Sequence, residues 1–312
     1  MLYSVIEGNQ TGRVFVDHTP TPSVAFVWGN MEYAYLVSNS TQIGKGIAEI
    51  IDEIIIPILD KDGMGFLTIF PFGVKPTDVQ AWFPQRKPVS FGVNSYEFEP
   101  KKFEVLRTQI KPLPPDLELV KLDSRTLAQE VCQDIREDIL FCWESLDQFS
   151  KLGLGYGMQS QQHGIVCACY AIGYGAKAYH ISIWTHPEYR RKGLARQTAI
   201  AFLTESLQEG KIIYWINDVP NLASRRLAES LGFVYTGDLA TVDIPVRPYQ
   251  FHLGLAEHFN SYLGLSRQAG ELYDMAFSIK AGTPEVYRKA ALVWRDAGDF
   301  EKEEYYQQKA AA

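Results

Sequence analysis

The stretch from Ile181 to Ala195, Ile-Ser-Ile-Trp-Thr-His-Pro-Glu-Tyr-Arg-Arg-Lys-Gly-Leu-Ala, constrains this chain more than any other. Ile181, Ile183 and Trp184 have strand character. Pro187 ends the strand, because proline brings no N–H to a ladder. Arg190, Arg191, Lys192 and Gly193 then lead into a segment whose apolar residues Ala199, Ile200, Leu203 and Leu207 recur at helical spacing. A glycine loop that opens a helix presents backbone N–H groups with no partner inside the helix, at the positive end of its dipole. Gly193 and the small Ala195 let the backbone come close to a phosphate. Taken alone, the loop reads equally as an ordinary basic turn, since short motifs match by chance.

In a chain of 312 residues with net charge −7, that basic loop is a local exception. The balance argues against a nucleic-acid partner and suits a pocket for a polyanionic cofactor. Hydrophobic residues at 46% supply packed cores, and the length suggests about two domains. Cys132, Cys142, Cys167 and Cys169 have the spacing of neither a zinc ribbon nor a disulfide framework. They read as reduced, structural thiols of a cytoplasmic protein, and no metal site is expected. The first residues show no basic segment followed by an apolar run, so no secretory signal is expected. The most apolar helical segment, residues 47–59, carries Glu49, Asp52, Glu53 and Pro57 and is too short to span a bilayer. No membrane partner is expected.

Taken in order, residues 12–17, 23–28 and 33–37 read as strands separated by turn residues. Residues 47–59 read as a buried helix ending near Pro57, followed by a strand at 65–70, a short helix at 77–82 and strand character at 88–98. Leu113-Pro114-Pro115 reads as an extended connector. Beyond it come a strand at 117–122, a broken helical stretch at 124–150, strands from 153, at 165–174 and at 178–185, the glycine loop and its helix, a strand at 211–217, a helix at 221–231 and a strand at 233–244. From about residue 250, helix formers dominate.

Arg190-x-x-Gly193-x-Ala195 resembles the Arg/Gln-x-x-Gly-x-Gly/Ala signature of the GNAT superfamily of N-acetyltransferases. Asn221-Leu-Ala-Ser224 followed by Leu231-Gly232-Phe233 resembles that family's later Asn-x-x-Ser…Leu-Gly-Phe helix. Thr185-His186-Pro187, Trp215 and Leu227-Ala228-Glu229-Ser230-Leu231-Gly232-Phe233 are most similar to the zwittermicin A resistance-like subgroup, which carries an extra N-terminal domain. The resemblance implies an α/β (α+β) fold: a mixed central sheet flanked by helices at residues 116–245. It is preceded by an N-terminal α/β domain at 1–114 and followed by a small helical extension at 250–312. Gly44-Lys45-Gly46 faintly echoes the phosphate loop, with Ile43 where the signature has Arg or Gln, and would make the N-terminal domain a degenerate GNAT-like half. The extension resembles tetratricopeptide helices. Arg267-Gln-Ala-Gly270-Glu-Leu and Arg295-Asp-Ala-Gly298-Asp-Phe look like an internal echo, short of the three repeats a solenoid usually needs.

The resemblance also implies acetyl transfer from acetyl-CoA to the amine of a small molecule. Backbone N–H groups of Arg191, Lys192, Gly193, Leu194 and Ala195 would hold the pyrophosphate, with Arg190 beside them. The pantetheine arm would pair along Ile183, Trp184 and Thr185 as strand addition allows. Asn221 and Ser224 would sit near the thiol arm, although Asn221 reads equally as a helix cap. Where many relatives place a glutamate as base, this chain has His180, whose type suits the work; Glu144 and Asp147 are alternative bases or amine anchors. Where many have a tyrosine as acid for the departing thiolate, this chain has Ala228, which leaves Tyr214 or Tyr235 as substitutes. These two departures keep a second reading open, a GNAT scaffold that binds an acyl-CoA without turnover and acts as a sensor or interaction module. A homodimer is one expected state.

Overall fold

The computed structural model describes residues 2–29, 31–39, 44–108 and 112–311. The chain opens with α1 (Leu2–Ile6), β1 (Arg13–Val16), β2 (Val24–Trp28) and β3 (Tyr33–Ser38). Next come α2 (Gly44–Ile50), a π-helical turn (Ile51–Ile55), α3 (Ile56–Lys61), β4 (Phe66–Phe72) and α4 (Pro76–Ala81). β5 (Val89–Phe98) and α5 (Pro100–Leu106) lead to β6 (Leu117–Lys121). The broken helical stretch resolves into α6 (Ser124–Leu127), a 3-10 turn, α7 (Gln133–Cys142) and α8 (Leu146–Leu152). Then follow β7 (Gly155–Ser160), β8 (Gly164–Gly175), β9 (Ala178–Thr185), α9 (Leu194–Gln208), β10 (Ile212–Asp218), α10 (Leu222–Ser230) and β11 (Phe233–Pro245). Four helices finish the chain: α11 (Pro248–Ser261), α12 (Ser266–Ile279), α13 (Pro284–Asp296) and α14 (Phe300–Ala311).

Contacts divide the chain into two compact units, Met1–Ser38 with Phe91–Ala240 and Asn39–Ser90 with Thr241–Ala312. In the first unit, β1, β2 and β3 form an antiparallel meander. Its other strands run in the order β11-β5-β10-β9-β8-β7-β6. β9 and β10 are parallel, whereas β5–β10, β8–β9, β7–β8 and β6–β7 are antiparallel. A parallel pair needs a crossover, and α9 supplies it. Leu203, Phe202, Ala199 and Ile200 of α9 pack in one core with Cys169, Ala171, Tyr179, Ile213 and Trp215. Strand alternation does the rest: Ile213 and Trp215 of β10 are buried, while Ile212, Tyr214 and Ile216 on its other face are exposed. Ile135, Ile139, Trp143 and Phe149 bring α7 and α8 into the same core. Leu113, in the expected connector, packs with Leu117, Tyr189 and Leu194, so this stretch is tied down. All four cysteines are free thiols, with Cys132, Cys167 and Cys169 buried.

In the second unit, β4 pairs antiparallel with the end of β11, from Val242↔Ile69 to Pro245↔Phe66. The helix expected to end near Pro57 instead continues to Lys61. The π-helical turn precedes α3, and Pro57 falls in the first turn of α3, where a missing N–H is tolerated. Ile43 lies outside the described residues, so the echo of the phosphate loop is described only from Gly44 onward. The C-terminal helices pack α11 on α12 and α13 on α14. Asp274 accepts from the Trp294 indole and the Tyr306 hydroxyl and pairs with Lys302, whose ammonium stands 3.8 Å from the centroid of the Trp294 ring. The two members of the internal echo occupy different settings. Gly270 is buried in α12 against Trp294, whereas Gly298 is a left-handed turn residue.

Candidate functional site

The parallel register of β9 and β10 runs Ile212↔Ala178, Ile213↔Tyr179, Tyr214↔His180 and stops there. β9 stays bonded to β8 as far as Thr185. β10 pairs with β5 from Trp215 to Asp218. The two strands therefore splay beyond His180 and Tyr214, and their facing backbone edges lose each other as partners. Main-chain polar groups in such a cleft need partners, and an extended ligand arm carrying amides supplies them as an added strand does.

The glycine loop stands directly after the splayed part of β9. Pro187–Tyr189 form one 3-10 turn, capped by His186, which accepts from the Glu188 N–H at 3.4 Å. Tyr189 is buried with Met158, Val166, Cys167 and Leu194. Its hydroxyl lies 2.8 Å from Nδ1 of His163, so the turn is anchored from below. Arg190 Nε donates to the Thr185 carbonyl at 3.1 Å, bracing the loop against the strand end. Arg191 has φ +62° and Gly193 φ +80°. A left-handed conformation costs a residue with a side chain roughly 1–2 kcal/mol, so Arg191 holds strain of the kind that gathers at binding loops. No atom lies within 4 Å of where a Cβ on Gly193 would point, so the requirement there is conformational rather than spatial. Arg191, Lys192 and Gly193 are exposed at the start of α9, with the Lys192 ammonium 4.6 Å from the Tyr189 ring centroid.

At the far side, Asn221 caps α10 by accepting from the Ser224 N–H at 3.1 Å. The Ser224 hydroxyl accepts from the Trp215 indole at 3.1 Å. Ala228 is fully enclosed in the core with Leu231 and Phe233. Gly232 has φ +90°, and a Cβ there would come within 2.8 Å of the Phe103 nitrogen.

The other face of β9 carries His180, Ser182 and Trp184. Cross-strand neighbours share a face, which adds Ala168 and Tyr170 from β8 and Tyr214 from β10. The His180 and Tyr214 ring centroids are 5.5 Å apart. Burial drives the His180 imidazole down to about 3, so it is neutral at neutral pH. The Trp184 indole nitrogen is buried without a protein partner. Burial raises the Tyr170 phenol, and Cys142 and Asp138 raise it further. The Cys142 thiol is pushed up to about 12 by burial, with Glu32 and Asp138 adding to the shift. Burial also raises the Glu32 carboxyl, whose Oε2 has no protein partner.

A family model described as GNAT acetyltransferase matches residues 1–241. The chain belongs to the GNAT acetyltransferase family. It is also similar to the uncharacterized N-acetyltransferase YdfB of Bacillus subtilis (strain 168), 28% identical over 139 residues, 45% of this chain and 51% of that protein. The chain thus matches about half the length of this curated relative. A GCN5-related N-acetyltransferase-like protein from Streptococcus suis 89/1591 shares the fold, with TM-score 0.54 and 19% identity over 78% of this chain and 91% of that one. Enzymes of the GNAT family use acetyl-CoA. Among the described residues no cluster of three or more His, Cys, Asp or Glu is set to hold a metal ion, and no helix is long and apolar enough to cross a membrane.

Against that family background, residues 183–185 and 190–195 fall in one continuous strand-and-loop, with Arg190 tied to Thr185. Asn221 and Ser224 are joined to each other and to Trp215 as a helix cap. His180 lies where β9 and β10 part. Glu144 is engaged elsewhere: its carboxylate accepts from the Thr11 hydroxyl, and its N–H donates to the Gln148 side chain at 3.0 Å. Asp147 is exposed in the first turn of α8, where a negative charge suits the helix dipole. Glu32 and Tyr170 were not picked out from the sequence, and Cys142 was read there only as a structural thiol. A carboxylate in a turn between two strands looks like a solvated one, and no spacing links it to Cys142.

Proposed function

We propose that this protein transfers the acetyl group of acetyl-CoA to the amine of a small molecule by direct attack on the thioester. The observation that carries this reading is the splay of β9 from β10 with the Arg190–Ala195 loop at its end. Backbone N–H groups of residues 191–195 take the pyrophosphate, and the pantetheine arm pairs along residues 183–185. An N–H of Ile183 or Trp184 meets the charge that develops on the thioester oxygen. Asn221 and Ser224 face the thiol arm while keeping their cap. His180, neutral at neutral pH, accepts a hydrogen bond from the acceptor amine; a base with so low a pKa is a weak proton acceptor. Glu144 and Asp147 take the outer part of the acceptor. The proposal includes the zwittermicin A resistance-like grouping, a cytoplasmic location, and residues 1–114, 116–245 and 250–312 as successive segments.

Arg190→Glu tests the cofactor site. It removes the brace to Thr185 and puts a negative charge beside the pyrophosphate. Calorimetry with acetyl-CoA should show affinity lowered about tenfold or more, roughly 1.4 kcal/mol. Unchanged affinity removes the loop from this role.

A further inference from the structure

β1 is the outermost strand of the β1–β2–β3 meander, and among the described residues no strand pairs with its other edge. The ladder decides which backbone groups lie on that edge. Arg13, Val14, Phe15 and Val16 pair with Trp28, Val27, Phe26 and Ala25 in unbroken register, and the Asp17 N–H donates to the Val24 carbonyl. Hydrogen-bonded and non-hydrogen-bonded pairs alternate along an antiparallel ladder. Arg13, Phe15 and Asp17 therefore bond to β2, while the N–H and C=O groups of Val14 and Val16 point away from it. The far side of β2 agrees. The Gly29 N–H donates to the Tyr33 carbonyl, which turns Ala25 and Val27 toward β3 and leaves Val24, Phe26 and Trp28 for β1. Val14 and Val16 share one face of β1 and are 50% and 40% exposed. Arg13, Phe15 and Asp17 share the other, with the Phe15 ring centroid 6.4 Å from that of Phe26. Open edges are commonly blunted by lysine, proline or a bulge, and residues 13–17 hold none of these.

We infer that β1 is the seam of a homodimer, pairing antiparallel with β1 of a second copy about a two-fold axis at Phe15. The partner is a second copy because the strand is complementary to itself in this register. Val14 faces Val16 of the second copy, and the reverse, closing about four backbone hydrogen bonds between the outward groups. Phe15 faces its own copy across the axis. Arg13 faces Asp17 of the second copy at each end, an opposite-charge pair. Moving the axis to Val14 sets Arg13 against Phe15, and moving it to Val16 sets Phe15 against Asp17, so both neighbouring registers lose the match. The charged ends are already held in place. The Asp17 carboxylate accepts from the Ser23 and Val24 N–H groups and lies 3.0 Å from the His18 ring, and the Arg13 guanidinium stands 5.8 Å from the Trp28 ring centroid. β6, at the end of the strand order, lacks such a match. The Leu122 N–H donates to the Gly155 carbonyl, so Leu117, Leu119 and Lys121 point outward there, and no two-fold register brings Glu118 to Lys121 of a second copy. The seam is short, which places association at about micromolar affinity. It does not depend on acetyl transfer.

Sedimentation equilibrium of the full chain at about 100 μM should show a mass doubling that reverses on dilution. Two double variants test the register at exposed positions where the fold has little to lose. Val14→Lys with Val16→Lys sets like charges directly opposite each other at both pairs and should weaken the dimer about tenfold or more. Val14→Lys with Val16→Glu sets opposite charges there and should keep affinity within about threefold of the wild type. Cross-linking reads the axis itself. Phe15→Cys meets its own copy at about 4.5 Å between Cα atoms, within disulfide range, and should form a covalent dimer with oxidised glutathione. Val14→Cys lies opposite Val16 rather than its own copy, past the limit of about 7 Å, and should not. Thermal unfolding of each variant confirms that it is folded. A wild type that stays monomeric overturns the inference. So do equal weakening by the two double variants, no weakening by either, and a Val14→Cys cross-link as fast as that of Phe15→Cys.

Discussion

Trp143→Ala should lower the stability of the protein by about 3–5 kcal/mol, the range for emptying a buried tryptophan site. Trp143 is 2% exposed, its indole donates to the Ala171 carbonyl at 2.8 Å, and its ring meets Phe149 edge-on at 5.8 Å. It therefore joins the end of α7 to β8 and α8 at one point. Alanine leaves a cavity and a buried carbonyl with no donor. Trp143→Phe separates the two contributions, since it restores most of the volume and leaves the carbonyl orphaned, a loss of about 1–3 kcal/mol. Urea unfolding reads both values. A Trp143→Ala loss under about 1 kcal/mol would mean that α7 is not held to the sheet this way.

Acidification should weaken the second unit through a single histidine. His252 in α11 is fully enclosed, and burial brings it down to about 4, with the Lys87 backbone offsetting part of the shift. Its pKa in the folded state is thus below the unfolded value of about 6.5, so the unfolded chain binds the extra proton. Stability from this group is complete above about pH 6.5 and is lost as pH falls toward about 4. A shift of that size corresponds to about 3 kcal/mol. His252→Gln should abolish this part of the pH dependence. Denaturation between pH 7 and pH 4 should show the wild type losing about 3 kcal/mol more than the variant. Parallel curves would contradict a buried neutral imidazole.

β9 could be read to its ends from the sequence because local chemistry sets them: Gly175 and Lys177 turn the chain before it, and Pro187 stops it. The loop was legible for the same reason, since Gly193 is the residue that a left-handed helix entry asks for. Asn221 was legible as a helix cap, and the geometry displays that cap. Pro57 misled because a proline is harmless in the first turn of a helix, and only the π-helical turn before it creates that first turn. His180 was found as a type at a position, yet its depressed basicity comes from burial that no spacing reveals. The internal echo at Gly270 and Gly298 was a likeness of letters, with one glycine inside a helix and the other in a turn.

The most direct test of acetyl transfer is thiol release when purified protein is given acetyl-CoA and a panel of primary amines, aminopolyols and aminoglycosides. Amine-dependent release of CoA with one acetyl group found on nitrogen is the predicted result. Tight CoA binding with no thiol released by any amine would contradict it, and would describe a GNAT scaffold that holds the cofactor without using it.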